Sequence, residues 1–263
     1  IFVYGSCEYA EISTSTDTIN WSLRTFACGC GDIRGIAYGN GLWFAHNNCC
    51  GSAASTDAIH WSLRTLPRYQ CTTGTRNTVA FGGGLFLAQG DRSTSASTDT
   101  IHWSLRTLPY DNLYAVNTKY IDNEFFIVNC SATGTSCSGL MKSTDSIHWL
   151  NATCGNFVNS RQIQGSFKFV ADIEKVAKNS RYFAIGDCSL VSTSTDFINW
   201  KSCRITDRKT WRTQSCDWSY CWWNIRKSNL TAYPERFIMG GYGYNSIAVS
   251  DIELSGTPGV GGA

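Results

Sequence analysis

Short runs in which apolar residues alternate with small or polar ones recur along the chain, separated by clusters of Gly, Asn, Asp and Ser. The runs predict strands and the clusters predict turns. Residues 33–65 read as four strands, at 33–38, 42–47, 52–56 and 60–65, with Gly39-Asn40-Gly41 as the first turn. Asn-Gly is a strong hairpin signal because both residues tolerate positive φ. The same order returns in 78–107, where Gly82-Gly83-Gly84 makes the first turn, and in 114–153, where Asp122-Asn123 does. A fifth and a sixth unit carry longer first connections, around 174–180 and 227–234. The first unit is short. Ile1-Phe2-Val3-Tyr4-Gly5 aligns with the second strand of the others, as Arg236-Phe237-Ile238-Met239-Gly240 does in the sixth, so its innermost strand is missing.

The turn between the third and fourth strands is the most regular feature. Ser-Thr-Asp-x-Ile-(His or Asn)-Trp occurs five times, with aspartates Asp17, Asp57, Asp99, Asp145 and Asp196. The copies end at Trp21, Trp61, Trp103, Trp149 and Trp200, and a worn sixth copy stands at Val249-Ser250-Asp251-Ile252. Ser and Asp side chains accept backbone N–H bonds in tight turns. The Trp that follows carries a large apolar area into the gap between neighbouring units. A repeat of this length with several short strands per unit is the period of a propeller blade. The expected fold is therefore all-β, a six-bladed β-propeller with four-stranded antiparallel blades and an incomplete first blade. The blades fall at 1–25, 33–65, 76–107, 114–153, 166–204 and 218–255, as one domain over 1–255, followed by a Gly-rich tail at 256–263. The box tryptophans are expected to be largely buried between blades.

The repeated motif resembles the Asp-box of sialidase-like propellers, where it folds the hairpin between the third and fourth strands of a blade. That family places Gly two residues after the Asp, where this chain has Ile19, Ile59, Ile101, Ile147 and Ile198. The resemblance covers nearly the whole chain and implies a fold rather than a function. Sialidases bind the substrate carboxylate with three arginines, use a Tyr–Glu pair and an acid Asp, and carry a Phe/Tyr-Arg-Ile-Pro motif. Here Ile33-Arg34-Gly35 lacks the Pro, so the resemblance points to a non-catalytic member.

Composition adds a compartment. Thirteen cysteines in 263 residues suggest an oxidising environment, and the odd number leaves at least one thiol free or bonded to another chain. The expected loops place most of them on one face, with Cys130–Cys137 the easiest local bridge. Sequons at Asn20, Asn129, Asn151 and Asn229 agree with a secreted or cell-surface chain. Ile1 in place of Met suggests processing or trimming. A formal charge of +2 does not argue for nucleic acid, and no apolar run is long enough to span a membrane.

Candidate chemistry is sparse. His60, His102 and His148 precede the repeat Trp on different blades and cannot converge on one metal, and His46 stands apart, so no metal or cofactor is expected. The box aspartates are read as turn residues. Arg24, Arg64 and Arg106 follow their Trp by three residues, a spacing that points them the other way, and with Arg204 after the fifth Trp they are read as an outer band that protects strand edges or meets acidic glycans. Asp32, Asp91, Asp111, Asp187, Asp207 and Asp217 lie in loops of one face and offer the only material for a glycosidase pair. Trp211, Trp218, Trp222, Trp223, Tyr242 and Tyr244 form a candidate aromatic rim for sugar rings or a protein partner. The expected function is a structural or adhesive subunit of an extracellular assembly, through self-association or other extracellular proteins. Glycan binding through the rim and glycoside hydrolysis are the alternatives.

Overall fold

The computed structural model describes residues 1–5, 11–26, 31–48, 51–67, 78–90, 93–109, 113–131, 137–152, 157–158, 170–176, 181–186, 190–204, 222–227, 237–241 and 247–249. All their regular structure is β-strand, and among them no helix is long and apolar enough to cross a membrane. The chain divides into two compact units, residues 1–132 with 141–150 and residues 133–140 with 151–263.

Among the described residues the strands form six sheets, built from consecutive strands paired antiparallel except for one parallel edge strand in the fifth. The first has β1 (Phe2–Gly5), β2 (Ile12–Ser15) and β3 (Ser22–Arg24). The second has β4 (Ile33–Gly39), β5 (Leu42–Asn47), β6 (Ser52–Ser55) and β7 (Ser62–Arg64). The third has β8 (Thr78–Gly82), β9 (Leu85–Gln89), β10 (Thr94–Ser97) and β11 (Ser104–Arg106). The fourth has β12 (Leu113–Ile121), β13 (Glu124–Ser131), β14 (Cys137–Ser143) and β15 (Leu150–Ala152). The fifth adds β16 (Phe157–Val158), parallel to β20 (Trp200–Arg204), to β17 (Val170–Val176), β18 (Arg181–Gly186) and β19 (Leu190–Ser194). Its five strands correct the expected four: a two-residue strand from the preceding connection lies on the outer edge. The sixth has β21 (Trp222–Lys227), β22 (Phe237–Gly241) and β23 (Ile247–Val249).

In the first unit the opening strands of the second, third and fourth sheets lie against one another, and β1 lies against β4. Close approach explains the glycines that end β4 and β8. A Cβ on Gly39 would collide with the ring of Phe81, and one on Gly82 with the ring of Tyr120. The sheets join through apolar side chains that repeat by position. Phe44, Ala54 and Leu66 of the second sheet and its exit meet Val79, Phe86, Ala88 and Trp103 of the third. Leu87, Ala96 and Leu108 meet Phe125, Ile127 and Trp149 in the same way one sheet later. Phe26 and Val3 meet Ala45, Ala53 and Trp61 one sheet earlier.

The repeat also exposes an exception within this packing. Ser95 pairs with Ala88 where the second sheet pairs Ala53 with Ala45. Its side chain is buried, and its hydroxyl has no hydrogen-bond partner among the described residues. A buried hydroxyl without a partner is unfavourable. Ser95→Ala is therefore expected to raise stability by about 1 kcal/mol, read from urea unfolding. A loss of stability would mean that this hydroxyl is satisfied.

Candidate functional site

The five repeated turns are built alike. In the first, Ser15 Oγ donates to Asp17 Oδ1 at 2.9 Å and accepts the amides of Asp17 and Thr18. Asp17 Oδ1 accepts the amides of Ile19 and Asn20 at 2.9 and 2.8 Å, and Oδ2 accepts the Asn20 side chain at 2.8 Å. Trp21 Nε1 donates to the Thr18 carbonyl at 3.0 Å. Asp57, Asp99 and Asp145 repeat this with His60, His102 and His148, whose Nδ1–H donates to Oδ2 at 2.7 Å. Asp196 repeats it with Asn199.

These bonds hold all five carboxyls far below the usual carboxylate range. For Asp57, Asp99 and Asp145 the His side chain is the largest cause and the backbone amides follow. For Asp17 and Asp196 the amide of Asn20 or Asn199 leads. A general acid must hold its proton near neutral pH, so these groups are turn-forming acceptors and not proton donors. Each of the three histidines is tied to its own turn. Among the described residues no three metal-ligating side chains converge.

The left-handed residue of each turn comes directly after the Asp, at Thr18, Ala58, Thr100, Ser146 and Phe197, with φ between 61° and 66°. It is not the Ile two residues on, where the motif's resemblance would put glycine; those isoleucines leave their side chains exposed. Non-glycine residues in this region are strained, and at four of the five the side chain is buried. Two of them explain what the arginines do. Arg64 Nε donates to Thr100 Oγ1 at 3.3 Å, and Arg106 Nε donates to Ser146 Oγ at 3.2 Å, each reaching the next sheet's turn. Ala58 has no hydroxyl, and Arg24 instead donates to Thr14 of its own sheet at 2.8 Å. The expected outer band of charge is thus corrected: Arg64 and Arg106 clasp junctions. The side chain of Arg204 lies outside the described residues. A double-mutant cycle of Arg64→Ala and Thr100→Ala is expected to give a coupling of about 0.5–1.5 kcal/mol. Additive losses would show that no clasp exists.

The tryptophans differ from one another. Trp103 lies 5.0 Å from the ring of Phe44, and Trp61 lies 5.9 Å from Phe26, each ring resting on the preceding sheet. Trp61, Trp103 and Trp149 are half-buried, and Trp200 is 1% exposed against Phe197 and Tyr182. Trp21 is 45% exposed, which corrects the expected burial. Its sheet is the first, and the ring contact described for it is an edge-on one to Tyr4 of the same sheet.

Other expected site residues fall where less is described. Trp211, Trp218, Tyr242 and Tyr244 lie outside the described residues, and Trp222 and Trp223 are placed only by the backbone of β21. The thirteen cysteines lie outside them or, for Cys130, Cys137 and Cys203, are placed by strand backbone alone. Asp91, Asp111, Asp187, Asp207 and Asp217 also lie outside. Asp32 accepts from Arg34 at 2.5 Å and from Asn48 at 3.1 Å. Of the sequons, Asn20 is exposed with its amide on Asp17, and Asn151 is half-buried in β15. Asn129 is placed by the backbone of β13, and Asn229 lies outside the described residues. Unforeseen was His46, which is buried and donates from Nδ1–H to the Gly51 carbonyl at 3.0 Å, beside Ser52 Oγ at 2.9 Å.

No family model and no curated protein matches this chain. Solved structures do. A structure of YCF48 bound to D1 peptide matches with TM-score 0.65 and 13% identity, over 95% of this chain and 74% of that one. A catalytically inactive virginiamycin B lyase from Staphylococcus aureus, with quinupristin, matches with TM-score 0.63 and 11% identity, over 95% and 80%. The extracellular domain of a hybrid two-component system from B. thetaiotaomicron matches with TM-score 0.58 and 10% identity, over 98% of this chain and 32% of that one. At such identities the likeness carries the fold alone, and that fold is a β-propeller.

Proposed function

We propose that this chain is a secreted or cell-surface, non-catalytic six-bladed propeller that serves as a structural and adhesive subunit of an extracellular assembly. The observation that carries this reading is where the repeated polar groups go. The five aspartates and the histidines or asparagines beside them all bond within turns, and two arginines close junctions between sheets. Repetition here maintains a scaffold. β1 pairs with β2 among the described residues, and in this reading its other edge takes a strand from a neighbouring protomer. Head-to-tail addition of that kind builds filaments or rings.

Light scattering on the purified chain, with and without reductant, tests the proposal. Species above the 29.1 kDa protomer are expected at high concentration. A protomer mass under every condition overturns it. A binding reading has one observation in its favour: among the similar propellers, a YCF48 structure holds a D1 peptide. The aromatic rim would then take a peptide or a glycan, and retention on a glycan or peptide array by a chain that stays monomeric would select it. Glycoside hydrolysis needs a carboxyl that keeps its proton; the depressed turn aspartates are not that group, and of the loop aspartates offered for a pair only Asp32 lies among the described residues.

A further inference from the structure

We propose that His60, His102 and His148 are preset metal ligands through which Zn²⁺ joins two copies of this chain, turn against turn. The proposal rests on the assembly reading above and names what joins the copies. In each of the three turns the imidazole donates from Nδ1–H to the aspartate Oδ2 at 2.7 Å. These carboxyls stay ionised and only accept. The proton of a neutral ring is therefore held at Nδ1, and the lone pair is left on Nε2. Zinc-binding histidines are commonly oriented in this way, with the other ring N–H on a carboxylate that raises the basicity of the ligand. The three side chains are each 87% exposed, and among the described residues no hydrogen bond reaches their Nε2. All three belong to the first compact unit.

The repeat shows that the turn itself does not need an imidazole. At the same place Asn20 and Asn199 donate from Nδ2 to the same aspartate oxygen, at 2.8 and 2.7 Å. What histidine adds is a bare Nε2, and it adds one on each of three consecutive sheets. Zinc takes four ligands, so one imidazole does not fill its shell. Each ring is tied to the turn of a different sheet, and no three metal-ligating side chains converge among the described residues. The second imidazole therefore comes from another copy, and water completes the shell. A two-fold axis through the middle of the row sets His102 against the partner's His102, and His60 against the partner's His148. Ile59, Ile101 and Ile147, exposed just before the three histidines, give the facing turns apolar surface to bury. Weak links made together hold far better than any one alone.

The test is sedimentation of the full chain in EDTA and in Zn²⁺, for wild type and for the triple variant His60→Asn, His102→Asn, His148→Asn. Both are produced in the bacterial periplasm, where the Asn-Trp-Ser sequences that two of the changes create stay unmodified. Wild type is expected to double its 29.1 kDa mass in Zn²⁺ and to return to it in EDTA. The variant is expected to keep its melting temperature, because asparagine makes the same turn bonds, and to lose the zinc response. A variant that still doubles, through its cysteines for instance, overturns the proposal. Equal assembly in EDTA and Zn²⁺ also overturns it and leaves strand addition standing. A protomer in EDTA that pairs in Zn²⁺ supports it and overturns strand addition. A protomer in both overturns the two together. Imidazole nitrogen NMR of wild type supplies a second measurement that does not depend on the variant. Zn²⁺ should shift Nε2 of the three exposed histidines and leave buried His46 in place. Unshifted Nε2 resonances overturn the proposal.

Discussion

Trp200→Ala is expected to lower stability by about 3–5 kcal/mol, and Trp21→Ala by about 1 kcal/mol or less. The two residues end the same motif and donate the same bond, from Nε1 to the carbonyl three residues back, at 3.0 Å in each. Burial separates them: Trp200 is 1% exposed among Phe197 and Tyr182, and Trp21 is 45% exposed. Removing a fully buried indole loses its transfer free energy and leaves a cavity, while an exposed one leaves neither in full. Trp103, half-buried on Phe44, should fall between them. Urea unfolding of the three variants gives the order directly. Equal losses would mean that the tryptophan acts through its turn and not through the junction it fills.

Much of this was legible because the chain repeats itself. Turns and strands could be read from Gly39-Asn40-Gly41 and from the serine and aspartate of each motif, whose bonding capacity is local. Local bonds need no knowledge of the fold. What could not be read is what crosses between sheets. The left-handed residue was obscured because Thr18, Ala58, Thr100, Ser146 and Phe197 occupy it in place of glycine. The partner of Arg64 is 36 residues away and that of Arg106 is 40 away, so only register between repeats links them. A signal did exist: a hydroxyl at Thr100 and Ser146 one repeat after an arginine, and its loss at Ala58. The strand at Phe157–Val158 is too short for any alternation to announce it. The exposure of Trp21 depends on a neighbouring sheet, which no single motif contains.

Lowering the pH from 6.5 to 4 is expected to destabilise the protein through His46, by on the order of 3 kcal/mol. Burial pushes this imidazole down to about 4, and its bond to the Gly51 carbonyl opposes the shift only in part. An unfolded histidine titrates near 6.5. Between the two values the unfolded chain binds the proton and the folded chain does not, so stability is complete above about 6.5 and is lost as pH falls toward 4. The repeat supplies the control. His46 is opposite Ser52 in the second sheet, and Gln89 is opposite Thr94 at the same place in the third, also buried. His46→Gln should therefore fit, keep a polar side chain, and flatten the dependence between pH 6.5 and 4. Below about 4 both proteins should lose stability together, as the five turn carboxylates begin to take up protons that the folded state holds off. Urea midpoints across this range for the two proteins measure the difference. If His46→Gln keeps the wild-type slope above pH 4, the buried imidazole is not its source.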